Sequence, residues 1–171
     1  MSPAAADVRM LLDFHDPAQA GLLESVDDVV MGGRSASRFE PGAAGTAVFS
    51  GVVSLENNGG FASVRSRPRD WGIGAASAFV LRVRGDGKRY RFNVRTSDSL
   101  EAFRYEGPVE PPAGEWTIVE IPVASMTGKA FGRRVPFAGA PDPARVRTLG
   151  FMISDKQAGP FRLEVDWIGW R

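Results

Sequence analysis

Short segments in which apolar and polar residues alternate recur along this chain, and turn residues separate them. Gly (20 residues) and Pro (12 residues) are spread at intervals through the 171 residues, which is typical of short strands joined by turns. The helical signal is weak and is confined to one turn at 16–23, where Asp16 can cap and Pro17 can take the first helical position. The pattern therefore predicts an all-β fold.

The number and spacing of these segments predict the architecture. Strand character is found at 8–14, 35–39, 47–50, 77–84, 90–96, 115–122, 148–154 and 161–170. Eight or more strands with a turn at about every tenth residue predict an antiparallel β-sandwich of the jelly-roll type. A chain of this length can bury roughly two-thirds of its unfolded surface. Since no linker divides the sequence, we expect a single domain over residues 1–171.

Composition limits the partners that this chain can bind. The 21 basic and 20 acidic residues leave a formal charge of +1, so no net field attracts nucleic acid, and nucleic acid is not expected as a partner. The absence of cysteine excludes disulfides, thiolate metal ligands and thiol nucleophiles. No apolar run approaches the ~18 residues of a membrane span, and Met1 to Val8 lacks the features of a signal peptide. We therefore expect a cytoplasmic protein.

The sequence offers little for catalysis. The single histidine, His15, lies directly after a predicted strand, where a lone histidine is more often a surface residue than a catalytic acid or base. There is no histidine cluster for zinc and no Gly-x-Ser-x-Gly motif for a serine nucleophile. Residues 83–87 form a glycine-rich turn, but no helix follows that could hold phosphate. We expect no enzyme activity and no cofactor.

The segments 77–84 and 90–96 predict a β-hairpin across a turn at 85–89. Alternation places Phe79 and Phe92 on its core face. The opposite face then carries four arginines, which Arg65 and Arg67 extend if their strand is adjacent: Arg82, Arg84, Arg91 and Arg95. One interpretation is a solvated face neutralised by nearby glutamates such as Glu101, Glu106 or Glu120. The other is a docking surface for an acidic protein segment, because guanidinium groups bind carboxylates in a bidentate manner.

Two polar pairs precede double glycines. Asp27 and Asp28 could each supply an oxygen to a structural calcium ion together with Asp166. Alternatively, they cap a tight turn in which Gly32 and Gly33 take positive φ. The Asn57-Asn58-Gly59-Gly60 segment predicts a hairpin turn, and its amides are candidates for a ligand contact.

The longest stretch without clear strand character runs from Pro122 to Arg145 and is rich in Gly, Pro and Arg. Irregular segments of that length in a compact domain are usually functional or mobile.

Several motifs follow the order and spacing of one known family. They are Asp28-Val-Val-Met-Gly-Gly33, Phe49-Ser-Gly51, Leu55 through Arg65, Arg84 through Tyr90, Trp116 through Pro122 and Ile153 through Leu163. On these motifs the chain resembles the complex I intermediate-associated protein 30 family from about Phe14 to Ile168. The resemblance implies a galactose-binding-like β-sandwich, similar to some carbohydrate-binding modules.

The resemblance also implies a non-catalytic, chaperone-like role. Eukaryotic members assist assembly of the membrane arm of respiratory NADH:ubiquinone oxidoreductase (complex I). Some relatives carry a dinucleotide-binding domain that this chain lacks, so no nicotinamide site is expected. The preference for Arg over Lys indicates a bacterial member.

We therefore predict a protein-binding module whose partners are complex I subunits or assembly intermediates, or another membrane complex that would bring it to the membrane. The predicted binding surface comprises Asp27, Asp28, Asn57, Asn58, Arg65, Arg82, Arg84, Asp86, Tyr90 and Arg91. The alternative is a carbohydrate-binding domain that uses exposed aromatic residues such as Trp71, Trp167 and Trp170. A hydrolase would require paired carboxylates converging in a cleft.

Overall fold

A computed structural model describes residues 7–26, 35–56, 59–98, 103–131 and 133–171. Within these ranges the chain forms thirteen strands and four short 3-10 helices, and it forms no α-helix. The strands are β1 (Arg9–Asp13), β2 (Leu23–Ser25), β3 (Ala36–Pro41), β4 (Ala47–Val53), β5 (Ala62–Ser66), β6 (Ala78–Arg84), β7 (Tyr90–Arg95), β8 (Arg104–Val109), β9 (Thr117–Pro122), β10 (Thr127–Ala130), β11 (Arg133–Arg134), β12 (Thr148–Ile153) and β13 (Gly159–Trp170). The predicted all-β fold is confirmed.

The 3-10 helices span Pro17–Leu22, Ala43–Gly45, Val123–Ser125 and Pro143–Arg145, and the last three are single turns. The first is the helical turn that the sequence predicts, since the Asp16 carboxylate accepts a hydrogen bond from the Ala18 amide at 3.0 Å. Nowhere in the described ranges is a helix long and apolar enough to cross a bilayer.

The strands form two antiparallel sheets. The six-stranded sheet has the order β3-β4-β13-β6-β9, and β1 also pairs with β13. The seven-stranded sheet has the order β11-β10-β8-β7-β12-β5-β2. The twelve-residue β13 organises the first sheet, because its first half pairs with β4, its second half pairs with β1, and β6 lies along its other side.

The core lies between the two sheets and consists of aliphatic and aromatic side chains from both inner faces. Pairs of rings meet across it, among them Phe79 with Phe92 at 5.2 Å, Phe49 with Tyr90 at 6.2 Å and Phe39 with Phe151 at 6.3 Å between centroids. Burying a side chain of this size stabilises the fold by about 1.5–3 kcal/mol. The predicted antiparallel β-sandwich is confirmed by this two-layer packing.

The predicted hairpin of 77–84 with 90–96 is wrong. β6 pairs with β13 and β9 in one sheet, whereas β7 pairs with β12 and β8 in the other. Residues 85–89 are therefore a crossover between the layers. Alternation specifies which face of a strand is buried, but it does not specify the neighbouring strand, and here each of the two strands lies inside a different sheet between two other strands.

This crossover separates the four arginines that the sequence placed on one face. Arg82 and Arg84 lie on the outer face of the six-stranded sheet, and Arg91 and Arg95 lie on the outer face of the seven-stranded sheet. The stretch from Pro122 to Arg145 also differs from expectation, because it contains β10, β11 and two of the 3-10 helices.

Candidate functional site

The outer face of the seven-stranded sheet carries a group of basic side chains that we term the cationic face. The strands β5, β7, β8 and β10 each contribute to it through residues that point away from the core. Its basic members are Arg65, Arg91, Arg95, Arg104 and Lys129. The described strand residues of this face carry two carboxylates, Glu106 on β8 and Glu24 on β2, which stands opposite Arg65 and pairs with Arg67 at 2.9 Å.

Strand register aligns the middle of this face into one row. Gly150 on β12 lies between Arg65 on β5 and Asn93 on β7, and it is in register with both. Asn93 is in turn in register with Glu106 on β8. Directly opposed residues on neighbouring strands lie close enough for their side chains to interact. The row therefore places a guanidinium, an amide and a carboxylate across four strands.

Gly150 lies at the centre of the row, where the neighbouring residues leave no space for a side chain. A Cβ at this position would lie 2.3 Å from the Val64 carbonyl oxygen and 3.1 Å from Asn93 Oδ1, so no other residue fits without displacing the neighbouring strand. Asn93 is 3% exposed, and its Oδ1 accepts no hydrogen bond in the structure. The Thr148 hydroxyl, two residues before Gly150, is also buried without a hydrogen-bond partner. These two groups have unused hydrogen-bonding capacity beside the arginines.

Glu106 is the acidic centre of the cationic face. Its side chain is 2% exposed and is held by cations from three strands. The contacts to its carboxylate oxygens are Arg91 Nε at 3.3 Å, Arg104 Nε at 3.3 Å and Lys129 Nζ at 3.2 Å. Arg91 Nη2 also lies 3.3 Å from Asp155 Oδ2, so two carboxylates neutralise part of the charge of these three cations.

Arg65 and Arg95 lie on the far side of the face from Lys129. Burial, and after it the nearby positive charges of Arg65 and Arg104, together lower the pKa of Arg95 to about 10. Burial also lowers the pKa of Arg65. A lowered arginine pKa means that the charged form is disfavoured by its surroundings, and a bound anion would offset this penalty.

The other two arginines of the predicted binding surface are paired within the six-stranded sheet. Arg82 Nη1 lies 2.6 Å from Asp166 Oδ2, and Arg84 Nη2 lies 2.9 Å from Glu164 Oε1. Both guanidinium groups also cover the ring of Trp116, with Cζ at 4.7 Å and 4.9 Å from the centroid. The neutralised-face interpretation therefore applies to this pair, although its acidic partners come from β13 rather than from the glutamates that the sequence suggested.

Asp86 and Tyr90 hold the crossover between the sheets. The Asp86 carboxylate accepts hydrogen bonds from the Lys88 amide at 3.0 Å, from the Tyr90 hydroxyl at 3.0 Å and from the Arg162 amide at 2.8 Å. Tyr90 is fully buried, and its burial raises the pKa of the phenol. These contacts give both residues a structural role.

Four residues of the predicted surface, Asp27, Asp28, Asn57 and Asn58, lie outside the described residues. The third residue of the calcium hypothesis, Asp166, is engaged by Arg82 and has His15 Nδ1 at 3.6 Å. No group of three histidine or acidic residues suited to a metal ion occurs in the described part of the chain. The calcium site therefore stays a prediction that rests on the two aspartates.

The tryptophans proposed for sugar binding are not fully exposed. Trp71 is 8% exposed, and its Nε1 donates a hydrogen bond to the Arg147 carbonyl at 2.9 Å. Trp167 and Trp170 are half-buried on β13, and Trp170 packs against the core beneath the Arg9 guanidinium.

Sequence reasoning missed five residues of the cationic face and its centre, namely Asn93, Arg104, Lys129, Thr148 and Gly150. β8 and β10 were not predicted, because Gly107, Pro108 and Gly128 weaken their strand signal. The alternation of Arg104 and Glu106 with Tyr105 was the available signal for β8.

Comparison with known proteins identifies the family of the chain. The family model described as complex I intermediate-associated protein 30 (CIA30) matches residues 12–165. The chain belongs to this family. It is 28% identical to the mitochondrial complex I intermediate-associated protein 30 of Drosophila melanogaster over 191 aligned residues, which cover 98% of this chain and 63% of the fly protein.

A second CIA30 relative, the mitochondrial protein of Mus musculus, is 32% identical over 103 residues, which cover 54% of this chain and 30% of the mouse protein. The chain thus spans less than two-thirds of the length of these relatives. Both relatives are described as mitochondrial.

Solved structures show the same fold at low sequence identity. The family 11 carbohydrate-binding module of the cellulase Lic26A-Cel5E of Clostridium thermocellum has a TM-score of 0.69 at 17% identity, over 95% of this chain and 93% of the module. A second structure of a family 11 module from that organism, in complex with a mixed-linked β-1,3-1,4 tetrasaccharide, has a TM-score of 0.68 at 16% identity, over 96% of both chains. These likenesses establish the architecture of this CIA30 family member.

Proposed function

We propose that the chain is a non-catalytic binding module that recognises an acidic segment of a protein partner during assembly of respiratory complex I. The cationic face is the binding surface. Family membership supports the assembly role, and the charge of the face supports the chemistry of the partner.

The observation that carries the proposal is the imbalance of charge on a partly desolvated surface. Five cations, Arg65, Arg91, Arg95, Arg104 and Lys129, accompany two carboxylates among the described strand residues of this face, Glu106 and Glu24, and Glu24 is itself paired with Arg67 at 2.9 Å. Like charges on neighbouring strands destabilise a sheet unless an anion lies between them. Carboxylates of a bound peptide would relieve the repulsion that also lowers the pKa of Arg95.

The residue types of the cationic face indicate the chemical groups that the partner presents. Arginine forks pair with carboxylates in two parallel hydrogen bonds. Asn93 Oδ1 and the Thr148 hydroxyl are buried, so the arginines rather than these groups would contact the partner. An extended acidic segment would present successive carboxylates along the row.

The test is complementation of a deletion strain of the native host, scored by complex I assembly on native gels. The tagged wild-type chain should restore assembly and co-purify with complex I subunits. Arg65→Glu should weaken this capture by at least tenfold, because it replaces a carboxylate-binding group with a repelling one. Capture by the wild type should also weaken with increasing salt.

The matched control is Arg38→Glu, which makes the same substitution on the outer face of the six-stranded sheet, where Arg38 pairs with Glu40 at 3.1 Å. It should capture the same subunits as the wild type. A deletion strain with normal complex I assembly contradicts the assembly role. Equal capture by Arg65→Glu and the wild type contradicts the placement of the binding surface.

A carbohydrate-binding role is supported by fold similarity alone. The strand residues on the cationic face include no aromatic side chain in the described ranges, and Trp71 is buried. We therefore expect no thermal shift with β-1,3-1,4 oligosaccharides. A shift that depends on the sugar would favour the alternative. Cytoplasmic location and bacterial origin stay predictions.

A further inference from the structure

Two phenylalanines that flank the edge strand β11 are exposed to solvent: Phe131 directly follows β10, and Phe137 lies three residues after β11. We term residues 131 and 133–137 the aromatic tip. Phe131 is 81% exposed and Phe137 is 104% exposed. The next most exposed large hydrophobic residues among those described, Met10 and Val52, are each 50% exposed. The seven phenylalanines of the core are at most 9% exposed. These two rings are therefore excluded from the core, in which most of the other phenylalanines are buried.

The tip projects from the edge of the seven-stranded sheet. β10 and β11 pair through Lys129 with Arg134 and through Ala130 with Arg133, and the Val135 amide donates a hydrogen bond to the Gly128 carbonyl at 2.9 Å. β11 is the outermost strand of this sheet. The short hairpin thus gives the tip a defined base while its rings remain in solvent.

Both phenylalanines occupy backbone conformations that bulky residues rarely adopt. Their φ angles are +51° for Phe131 and +65° for Phe137, in the left-handed region that usually favours glycine. Exposed rings in unfavourable backbone conformations do not contribute to folding stability. Such features are typical of sites that bind something outside the fold.

The charge around the rings is entirely positive. The sequence from Val123 to Pro141 contains no Asp or Glu. Arg133 and Arg134 are exposed, and neither forms an ion pair within the described residues. Lys129, at the base of the hairpin, is already paired with Glu106. The tip therefore combines two apolar rings with two available guanidinium groups.

We propose that the aromatic tip docks on an anionic lipid surface. Phe131 and Phe137 enter the boundary between headgroups and acyl chains, and Arg133 and Arg134 bind the lipid phosphates. Aromatic residues flanked by arginines are the composition of interfacial membrane-binding segments. This docking does not depend on the proposed function, and it adds a membrane contact to a chain whose described residues contain no spanning helix.

A lipid surface fits this tip better than a protein surface does. A stable protein interface buries about 800 Å² on each partner, which is a broad contact, whereas the tip offers two separate rings that flank the two-residue edge strand β11. Rings in solvent with no surrounding apolar rim would need a matching pocket in a protein. A bilayer accommodates protruding rings without a preformed pocket, and its anionic headgroups complement the two arginines.

The test is flotation of the whole chain with lipid vesicles. We expect binding to vesicles of phosphatidylcholine mixed with phosphatidylglycerol and at least tenfold weaker binding to vesicles of phosphatidylcholine alone. Neutralising each arginine should weaken binding by about fivefold, so Arg133→Gln combined with Arg134→Gln should remove most of the salt dependence. Phe131→Ser combined with Phe137→Ser should weaken binding to the anionic vesicles by at least tenfold.

Met10→Ser combined with Leu55→Ser is the matched control, since these residues are 50% and 48% exposed and lie outside the tip. The control should bind vesicles as the wild type does, and all variants should unfold at similar temperatures because the altered side chains are exposed. Equal binding of the wild type to both kinds of vesicle overturns the proposal, as does unchanged binding by the phenylalanine variant. If the wild type does not bind vesicles and the phenylalanine variant no longer captures complex I subunits, the tip is a protein contact and lipid docking is wrong.

Discussion

Phe79 and Phe92 face each other across the core at 5.2 Å between ring centroids, although they lie on consecutive strands. They meet in this way because β6 and β7 belong to different sheets and the chain crosses the core between them. The same crossover places Arg82 and Arg84 on one outer surface and Arg91 and Arg95 on the other. The cationic face therefore draws its charge from strands that are distant in sequence.

The contact between these rings predicts an energetic coupling. Phe79→Leu and Phe92→Leu should each destabilise the protein by at least ~1 kcal/mol, and a double-mutant cycle should give a coupling of about 0.5–1.5 kcal/mol, because both variants remove one ring contact. Urea denaturation measures all four proteins. Phe79 with Phe14 is the control pair, since no contact between these two rings is found among the described residues. Additive effects for Phe79 and Phe92 contradict the two-layer packing.

Glu106→Gln should be strongly destabilising. The substitution leaves Arg91, Arg104 and Lys129 without their shared carboxylate in a buried setting, and breaking such an ion cluster costs about 3–5 kcal/mol. Glu120→Gln is the control, because the Glu120 carboxylate pairs with Arg171 near the surface and its side chain is 45% exposed. That substitution should cost less than ~1 kcal/mol. Chemical denaturation measures the free energy of unfolding of both variants. An unchanged free energy of unfolding for Glu106→Gln contradicts the ion cluster.

We expect the pKa of His15 to lie above its ordinary value of 6.5. Its Nδ1 lies 2.7 Å from Asp13 Oδ1, and this hydrogen bond raises the pKa of His15 from 6.5 and lowers that of Asp13 from 3.8. The charged histidine therefore stabilises the fold below pH 6.5, and this contribution is lost as the pH rises through the folded pKa. The aspartate contributes above pH 3.8, and its share is lost as the pH falls through its folded pKa.

NMR titration measures this directly, because His15 is the single histidine of the chain. Asp13→Asn should return the pKa of His15 towards 6.5. Asp70→Asn is the control, since the Asp70 carboxylate accepts a hydrogen bond from the Gly72 amide and should leave the titration unchanged. A histidine pKa at or below 6.5 in the wild type contradicts the ion pair.

Asp86 and Tyr90 should affect stability rather than partner binding. Asp86→Ala removes the acceptor for three hydrogen bonds and should cost at least ~2 kcal/mol, whereas Tyr90→Phe should cost about 1 kcal/mol. Urea denaturation gives the two values, and capture of complex I subunits by Tyr90→Phe should equal that of the wild type. Loss of capture by folded Asp86→Ala at wild-type stability would restore both residues to the binding surface.

Much of the fold could be predicted from the sequence. The segments 77–84, 90–96 and 148–154 closely match β6, β7 and β12, and the inward positions of Phe79, Phe92 and their neighbours are correct. Alternation is a local property, because successive side chains on a strand point to opposite faces. The family motifs are likewise local features of the sequence, and the match of the family model confirms the family that they indicated.

The cationic face could not be predicted in the same way. Glu106 meets Arg91 and Lys129 only because β8 lies between β7 and β10, and Arg65 joins the row through the register of β12 with β5. Alternation along the chain specified the buried and exposed faces of each strand before any pairing was known. Which strands lie side by side was decided only by the tertiary structure. The inner faces of both sheets must be buried in one core, and this requirement, rather than local backbone preference, determines the sheet to which each strand belongs.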